Sequence, residues 1–206
     1  MDEPDTRSTT EEAIMYATYL ALQKHGYADL TMQDIADEFD KTKAVIHYHY
    51  DTKQNLLVAF LEYLLERFDR NLDITEYPTA YEQVLVLLDG LLGHDTNTDD
   101  DGFDHEGITI ALLQLRAQAV YNDEFSRQLT VNAETIQSLL ATVIQDGIDQ
   151  GIFRSVDPDR TATTLLACTT GARNYGVTLE QEGIEADVRT TLHRIVDEWL
   201  CCPEAT

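Results

Sequence analysis

The chain has 206 residues, 43% of them hydrophobic, and 38 acidic against 14 basic side chains give a formal net charge of -24. That apolar share supports a packed core and excludes a wholly disordered chain. No apolar run approaches the ~18 residues that a membrane helix needs.

The opening stretch, MDEPDTRST, is acidic instead of basic-then-apolar, so no signal peptide is expected and a cytoplasmic location is. Residues 1–8 read as a flexible acidic tail. Cys168, Cys201 and Cys202 lack metal-ligand spacing and read as reduced thiols, with a vicinal-thiol sensor as the alternative. No metal site or cofactor is expected from motif.

The first segment with a chemical message runs from Thr31 to Lys53. It holds Lys41, Lys43 and Lys53, three of the four lysines, and His47 and His49, two of the six histidines. Thr31 is suited to cap a helix, and Met32, Ile35, Ala36 and Phe39 follow at helical spacing. Asp40-Lys41 breaks the pattern and Thr42 caps again. Val45, Ile46 and Tyr50 then make an inward stripe, which leaves Lys43, Ala44, His47, Tyr48 and His49 outward. The result is helix, turn, helix. A second helix carrying an ammonium, two imidazoles and a phenol can donate to phosphates or base edges and suits a major groove. Lys53 opens the next helix, where its charge adds to the positive end of the helix dipole.

Gly26-Tyr27, Thr31, Ile35-Ala36, the run Thr42 to Tyr50, Thr52-Lys53 and Leu56-Leu57 together resemble the N-terminal signature of the TetR/AcrR family of transcriptional regulators. Ile14, Ala17, Thr18, Ala21 and Leu22 fit the first helix of that family. The likeness spans roughly residues 9 to 60, about a dozen positions in register. Phe39, Asp40, Lys41 and His47 depart from the usual pattern. The resemblance implies an all-α fold of about nine helices, with a helix-turn-helix domain over 9–52 and a helical ligand-binding and dimerisation domain over 53–206. It implies that Lys43, Ala44 and Val45 approach bases. It also implies that Thr31, Thr42, His47, Tyr48, His49 and Lys53 hold phosphates or the groove edge. The expected partner is a double-stranded palindromic operator, bound by a homodimer and released by a small-molecule effector.

Onward in the chain, Asp51-Thr52 begins a helix through Leu56, Phe60, Leu64 and Phe68. Pro78, read as a first-turn residue, opens another with Val84, Leu85, Leu88 and Leu91. An acidic loop spans His94 to Asp104. Within it Asn97-x-Asp99-x-Asp101-Gly102 matches the front of a calcium loop, but Ile108 stands where the bidentate glutamate belongs, so a solvated loop is expected. Further helices cover Ile108 to Val120, Asn122-Asp123 to about Gly151, a stretch with Pro158 at its first position, and Ala186 to Cys201.

Gln150 to Arg154 followed by Asp157-Pro158 also resembles the C-terminal half of the family, which implies a four-helix dimer interface. Its candidates are Ala162, Leu166, Ala167 and Gly171 on one helix and Leu192, Ile195 and Trp199 on the other. The family's ligand cavity would be lined by Tyr63, Phe68, Tyr81, Leu85 and Leu88, by Leu112, Leu115 and Arg116, and by Tyr121, Phe125, Asn174 and Tyr175. Most of these would be ordinary core if no cavity exists. Arg116, set among leucines, needs a carboxylate from the protein or from a ligand. An all-helical enzyme or a partner-binding protein using such a cavity is the alternative reading. No nucleophile, base and orienter assemble from motif.

The acids run along the whole chain instead of forming blocks, and outside residues 24–53 arginine is the only basic residue apart from histidine. Carboxylate excess with lysine depletion resembles the composition of extreme halophiles, where salt screens the self-repulsion. An acidic surface that meets a basic partner or mimics nucleic acid is the rival explanation.

Overall fold

The computed structural model describes residues 9–39, 42–94, 102–180 and 182–202. The described residues are helical almost throughout: α1 (Thr9–Asp29), α2 (Met32–Asp37), α3 (Lys43–His49), α4 (Lys53–Asn71), α5 (Ala80–Leu91), α6 (His105–Ala119), α7 (Asp123–Asp149), α8 (Pro158–Thr178) and α9 (Ile184–Ile195). A short 3₁₀ turn, Ile74–Glu76, precedes α5, and a π turn, Val196–Leu200, continues α9. The β-pairing among the described residues is a single bridge between Phe153 and Cys201. No described helix is long and apolar enough to cross a membrane.

Two compact units divide the chain. One comprises the described residues of Met1–Glu66 and Asp100–Leu129, the other those of Arg67–Asp99 and Thr130–Thr206. The units therefore part differently from the 52/53 boundary expected above, because α6 packs along α1 and belongs with the head.

In the first unit the core is built by Ile14, Met15, Tyr19 and Leu22 of α1, Ile35 of α2, Ile46 of α3 and Leu56, Leu57 and Phe60 of α4. Leu115 of α6 and Phe125 of α7 complete it. Burying each such side chain contributes roughly 1.5–3 kcal/mol, so the short α2 and α3 are held by packing where helix propensity alone could not hold them. Thr18, fully buried, returns its hydroxyl to the Ile14 carbonyl. Gly107 permits the close approach of α6 to α1, since a Cβ there would overlap Gln23 and Tyr19.

In the second unit Val84, Leu87 and Leu88 of α5, Leu140, Val143 and Ile144 of α7, Ala162 and Leu165 of α8, and Leu192 of α9 form the core with Val196 and Leu200. Three helix starts differ from expectation. Pro78 lies ahead of the cap of α5, because Thr79 and Glu82 form a reciprocal capping box. The helix expected from Ile108 starts at His105, because the Asp104 carboxylate accepts from the Gly107 N–H at 2.7 Å. The last helix starts at Ile184, following Gly183 with φ 80°, a left-handed value glycine supplies at little cost.

The end of that helix also differs. It widens into the π turn, Cys201 N–H donating to Val196 O, and this turn docks on the Ile152–Arg154 segment. Arg154 N–H donates to Leu200 O at 2.8 Å, and its guanidinium donates to Cys201 O and Glu198 O. Such side-chain capping of a helix end is invisible to periodicity. The calcium-like pattern lies mainly outside the described residues, and among those described no group of three metal-ligating side chains is assembled.

Candidate nucleic-acid interface

Thr31 caps α2, its hydroxyl accepting from the Asp34 N–H while the Asp34 carboxylate takes both the Thr31 N–H (2.7 Å) and the Thr31 hydroxyl (2.6 Å). Those bonds hold the Asp34 carboxyl below its ordinary range, the Thr31 hydroxyl being the largest cause. The Thr31 side chain is thus committed to the cap, although the residue is exposed.

Thr42 begins α3 without a side-chain cap bond and is exposed. Along α3, Ile46 is fully buried while Val45 and Tyr50 are half-buried against the core. Lys43, Ala44, His47 and Tyr48 are all exposed, Tyr48 to 86%. Their spacing, i, i+1, i+4 and i+5, puts them on one face. That face presents an ammonium, an imidazole and a phenol around a small alanine, so a groove wall can come close where polar groups wait on either side.

Besides the capping Thr31 and the inward Val45, two further expected contacts are placed differently. His49 turns back toward α1, its Nδ1 3.7 Å from a Glu11 carboxylate oxygen, with the Tyr48 ring edge-on to it. Lys53 is half-buried, and its ammonium donates to the carbonyls of Tyr27 (3.1 Å) and Leu30 (2.8 Å) while lying 4.6 Å above the Tyr27 ring. Burial lowers its pKa, and the Asp34 charge opposes that shift. Two of its three N–H donors are thereby engaged, leaving one for an anion. Lys24 is paired with Glu38 at 2.7 Å.

Sequence reasoning missed the groups that brace this head from outside it. Tyr27 N–H donates to the side-chain oxygen of Gln114 on α6 at 2.6 Å. Tyr19 donates to the Asp104 carboxylate and accepts from Gln23, and its hydroxyl is pushed up to about 12, by burial first and by that carboxylate second. The signal for Gln114 was present: it is a lone amide in the run Leu112-Leu113-Gln114-Leu115.

The expected cavity residues divide between the units. In the first, Leu115 and Phe125 are fully buried core, Tyr63 is nearly so, Leu112 and Arg116 are half-buried, and Tyr121 is 90% exposed. Arg116 has no carboxylate partner among the described residues, and desolvation lowers its pKa. In the second, Leu88 is core, Phe68, Tyr81, Leu85 and Asn174 are half-buried, and Tyr175 is exposed. Tyr81 donates to Asp197 at 2.7 Å.

Of the expected dimer residues, Ala162 and Leu192 are buried in the unit's own core and Leu166 packs on it. Ala167, Ile195 and Trp199 are exposed, Trp199 to 72%. A Cβ added at Gly171 would meet nothing.

Residues 14–60 match the family described as bacterial regulatory proteins of the TetR family, and residues 93–200 match the BetI-type transcriptional repressor C-terminal family. A comparison with curated proteins finds no match. A TetR transcription regulator from Haloarcula marismortui is similar in structure, with TM-score 0.80 and 40% identity over 94% of this chain and 100% of that one. A transcriptional regulator from Saccharomonospora viridis, in complex with choline, gives TM-score 0.78 and 22% identity over 95% and 100% of the two chains. The regulator AibR, in complex with isovaleryl coenzyme A and operator DNA, shares the fold with TM-score 0.64 and 17% identity over 90% and 97%. The exposed face of α3, the family matches and the 40% identical relative agree: the chain belongs to the TetR family of DNA-binding transcriptional regulators.

Proposed function

We propose that the protein is a homodimeric repressor that binds a palindromic operator through Lys43, Ala44, His47 and Tyr48, and leaves it when a small molecule binds. The observation that carries this reading is the single outward face of α3. A seven-residue helix reads few base pairs, so two-fold pairing is required for specificity. The exposed Tyr175, Leu179, Ile195 and Trp199 around α8 and α9 supply apolar surface for that pairing, with Trp199 as the largest anchor. Effector release requires tighter effector binding to the form that does not hold DNA. Arg116, a desolvated cation with no counter-charge among the described residues, supports an effector bearing an acid group.

Thr42 and Lys53 contribute phosphate contacts, Lys53 through its remaining N–H. With a net charge of -24 and acids along the whole chain, the protein suits a salty medium where counterion release adds little to affinity. Hydrogen bonds and apolar contact then dominate, and the salt dependence of binding is shallow. Selection of duplexes from a random-sequence pool at molar salt tests the reading. Lys43→Ala should relax base discrimination by about 1–3 kcal/mol at one operator position. Retention of every sequence alike, before and after that substitution, contradicts a sequence-reading α3.

A further inference from the structure

We propose that Gln114, on α6 and outside the helix-turn-helix, is a positioning residue for DNA binding that fixes the broken end of α1 from which α2 and α3 hang. The proposal rests on the DNA-binding role of α3 given above and adds to it a residue that touches no DNA.

Gly26, at φ 69° and ψ 162°, interrupts α1. The break deprives the Tyr27 N–H of its ordinary partner one turn back, and a half-buried amide left so would be costly. Gln114 removes that cost from a distant element, its Oε1 accepting from Tyr27 N at 2.6 Å. The short turn beyond the break is closed by Leu30 N–H donating to Gly26 O at 3.1 Å. Its carbonyl ends, Tyr27 O and Leu30 O, are taken by the Lys53 ammonium at the start of α4. The Tyr27 ring meets Phe125 of α7 edge-on, with centroids 6.0 Å apart.

One residue thus joins three elements: Tyr27 gives its N–H to α6, its carbonyl to α4 and its ring to α7. Only Thr31 separates Leu30 from the first residue of α2. A second tie, from Tyr19 to Asp104, lies two turns earlier on α1 and at the start of α6. The two ties leave the Gly26–Thr31 segment little freedom to shift along α6. Without the Gln114 acceptor that segment gains conformations, and every one that misplaces α3 must be given up on docking, which weakens apparent affinity. The contact is specific in its chemistry: it needs an oxygen acceptor at the length of a glutamine side chain.

The wild-type protein first selects a duplex from a random-sequence pool at molar salt; failure to enrich any sequence defeats the DNA-binding reading itself, whatever Gln114 does. On the selected duplex, anisotropy should give a Kd about tenfold weaker for Gln114→Leu, and within about threefold of wild type for Gln114→Glu, which keeps an oxygen acceptor. Hydrogen exchange at the Tyr27 amide should quicken in Gln114→Leu and stay slow in Gln114→Glu, with thermal midpoints reported beside both. Should Gln114→Leu not fold, Gln114→Asn, whose acceptor falls one methylene short, takes its place with the same expected tenfold loss. Wild-type or tighter affinity in the acceptor-less variant, or equal weakening by Gln114→Glu, overturns the proposal.

Discussion

Each unit of the molecule holds a cation tied to distant chain, and the two stand in opposite electrostatic states. In the second unit Arg189 forms two bonds to Asp89, of 2.7 and 2.6 Å, and His193 Nε2 lies 2.8 Å from the same carboxylate. That carboxylate raises the arginine's pKa. In the head, Lys53 is held by two neutral carbonyls and a ring face, and burial lowers its pKa. Carbonyl dipoles orient an ammonium without cancelling its charge, whereas a carboxylate cancels it. The second unit therefore neutralises its cation internally, and the head keeps a positive charge available to phosphate in a chain that is otherwise strongly acidic.

The largest effect that could break this contrast is at Asp89. Asp89→Ala leaves a guanidinium and an imidazole facing a void, and should cost about 2–4 kcal/mol in urea unfolding at neutral pH. Burial by itself would raise the Asp89 carboxyl, but bonds from Arg189 and His193 outweigh it and hold the pKa below the ordinary value. A depressed carboxyl contributes stability that is complete above the unfolded pKa of about 4 and is lost as pH falls through the lower folded value. The gap between wild type and Asp89→Ala should accordingly narrow as pH is lowered from about 4 toward 2. A gap that stays constant over that range would mean that the carboxylate's charge contributes nothing.

A smaller stability effect with a larger functional one is expected at Lys53. Lys53→Met removes a desolvated ammonium but also strips two carbonyls of their donor, so the opposed terms should leave a net cost of about 1 kcal/mol. Binding to every duplex should weaken alike, by about tenfold, since a phosphate contact carries no sequence information. Calorimetric unfolding and anisotropy on matched and mismatched duplexes measure the two quantities. If Lys53→Met instead costs as much stability as Asp89→Ala and leaves affinity unchanged, the head cation is structural and the contrast fails.

The same two sites show what a sequence discloses. The inward stripe of Val45, Ile46 and Tyr50 and the outward Lys43, Ala44, His47 and Tyr48 were legible because a helix repeats every 3.6 residues and one face must be apolar. The turn of His49 toward Glu11 was not, because that partner lies 38 positions earlier and nothing local selects it. Likewise the ammonium of Lys53 could be placed at a helix start, but its carbonyl acceptors exist only because Gly26 breaks a helix elsewhere. Thr79-x-x-Glu82 was a readable capping box that outweighed the pull of Pro78 as a start signal. The π turn at Val196–Leu200 depends on Arg154 and Ile152 reaching across, which periodicity cannot report. Membership of α6 in the head rests on Ala111 and Leu115 entering its core, on polar ties such as Gln114 to Tyr27, and on the space that Gly107 leaves, and the partners of all three lie far away in sequence.

Arg116 sharpens the comparison from the other side, since among the described residues it has neither a carboxylate such as Arg189 has nor carbonyls such as Lys53 has. Its expected internal ion pair is not among the contacts of the described residues, and desolvation alone moves its pKa, downward. An uncompensated guanidinium costs the fold free energy, so Arg116→Met, similar in length and apolar, should stabilise the protein. The gain should be about 1 kcal/mol, because the residue is only half-buried and its outer atoms still reach water. A urea midpoint that rises with unchanged m-value reads it. Operator affinity should not change, because Arg116 takes no part in the ties to Tyr27 or Asp104. Release by an acidic effector should be lost, which separates this variant from Lys53→Met, where affinity falls and release persists. A midpoint that drops instead would mean that the arginine has a counter-charge after all, and the case for an anionic effector would go with it.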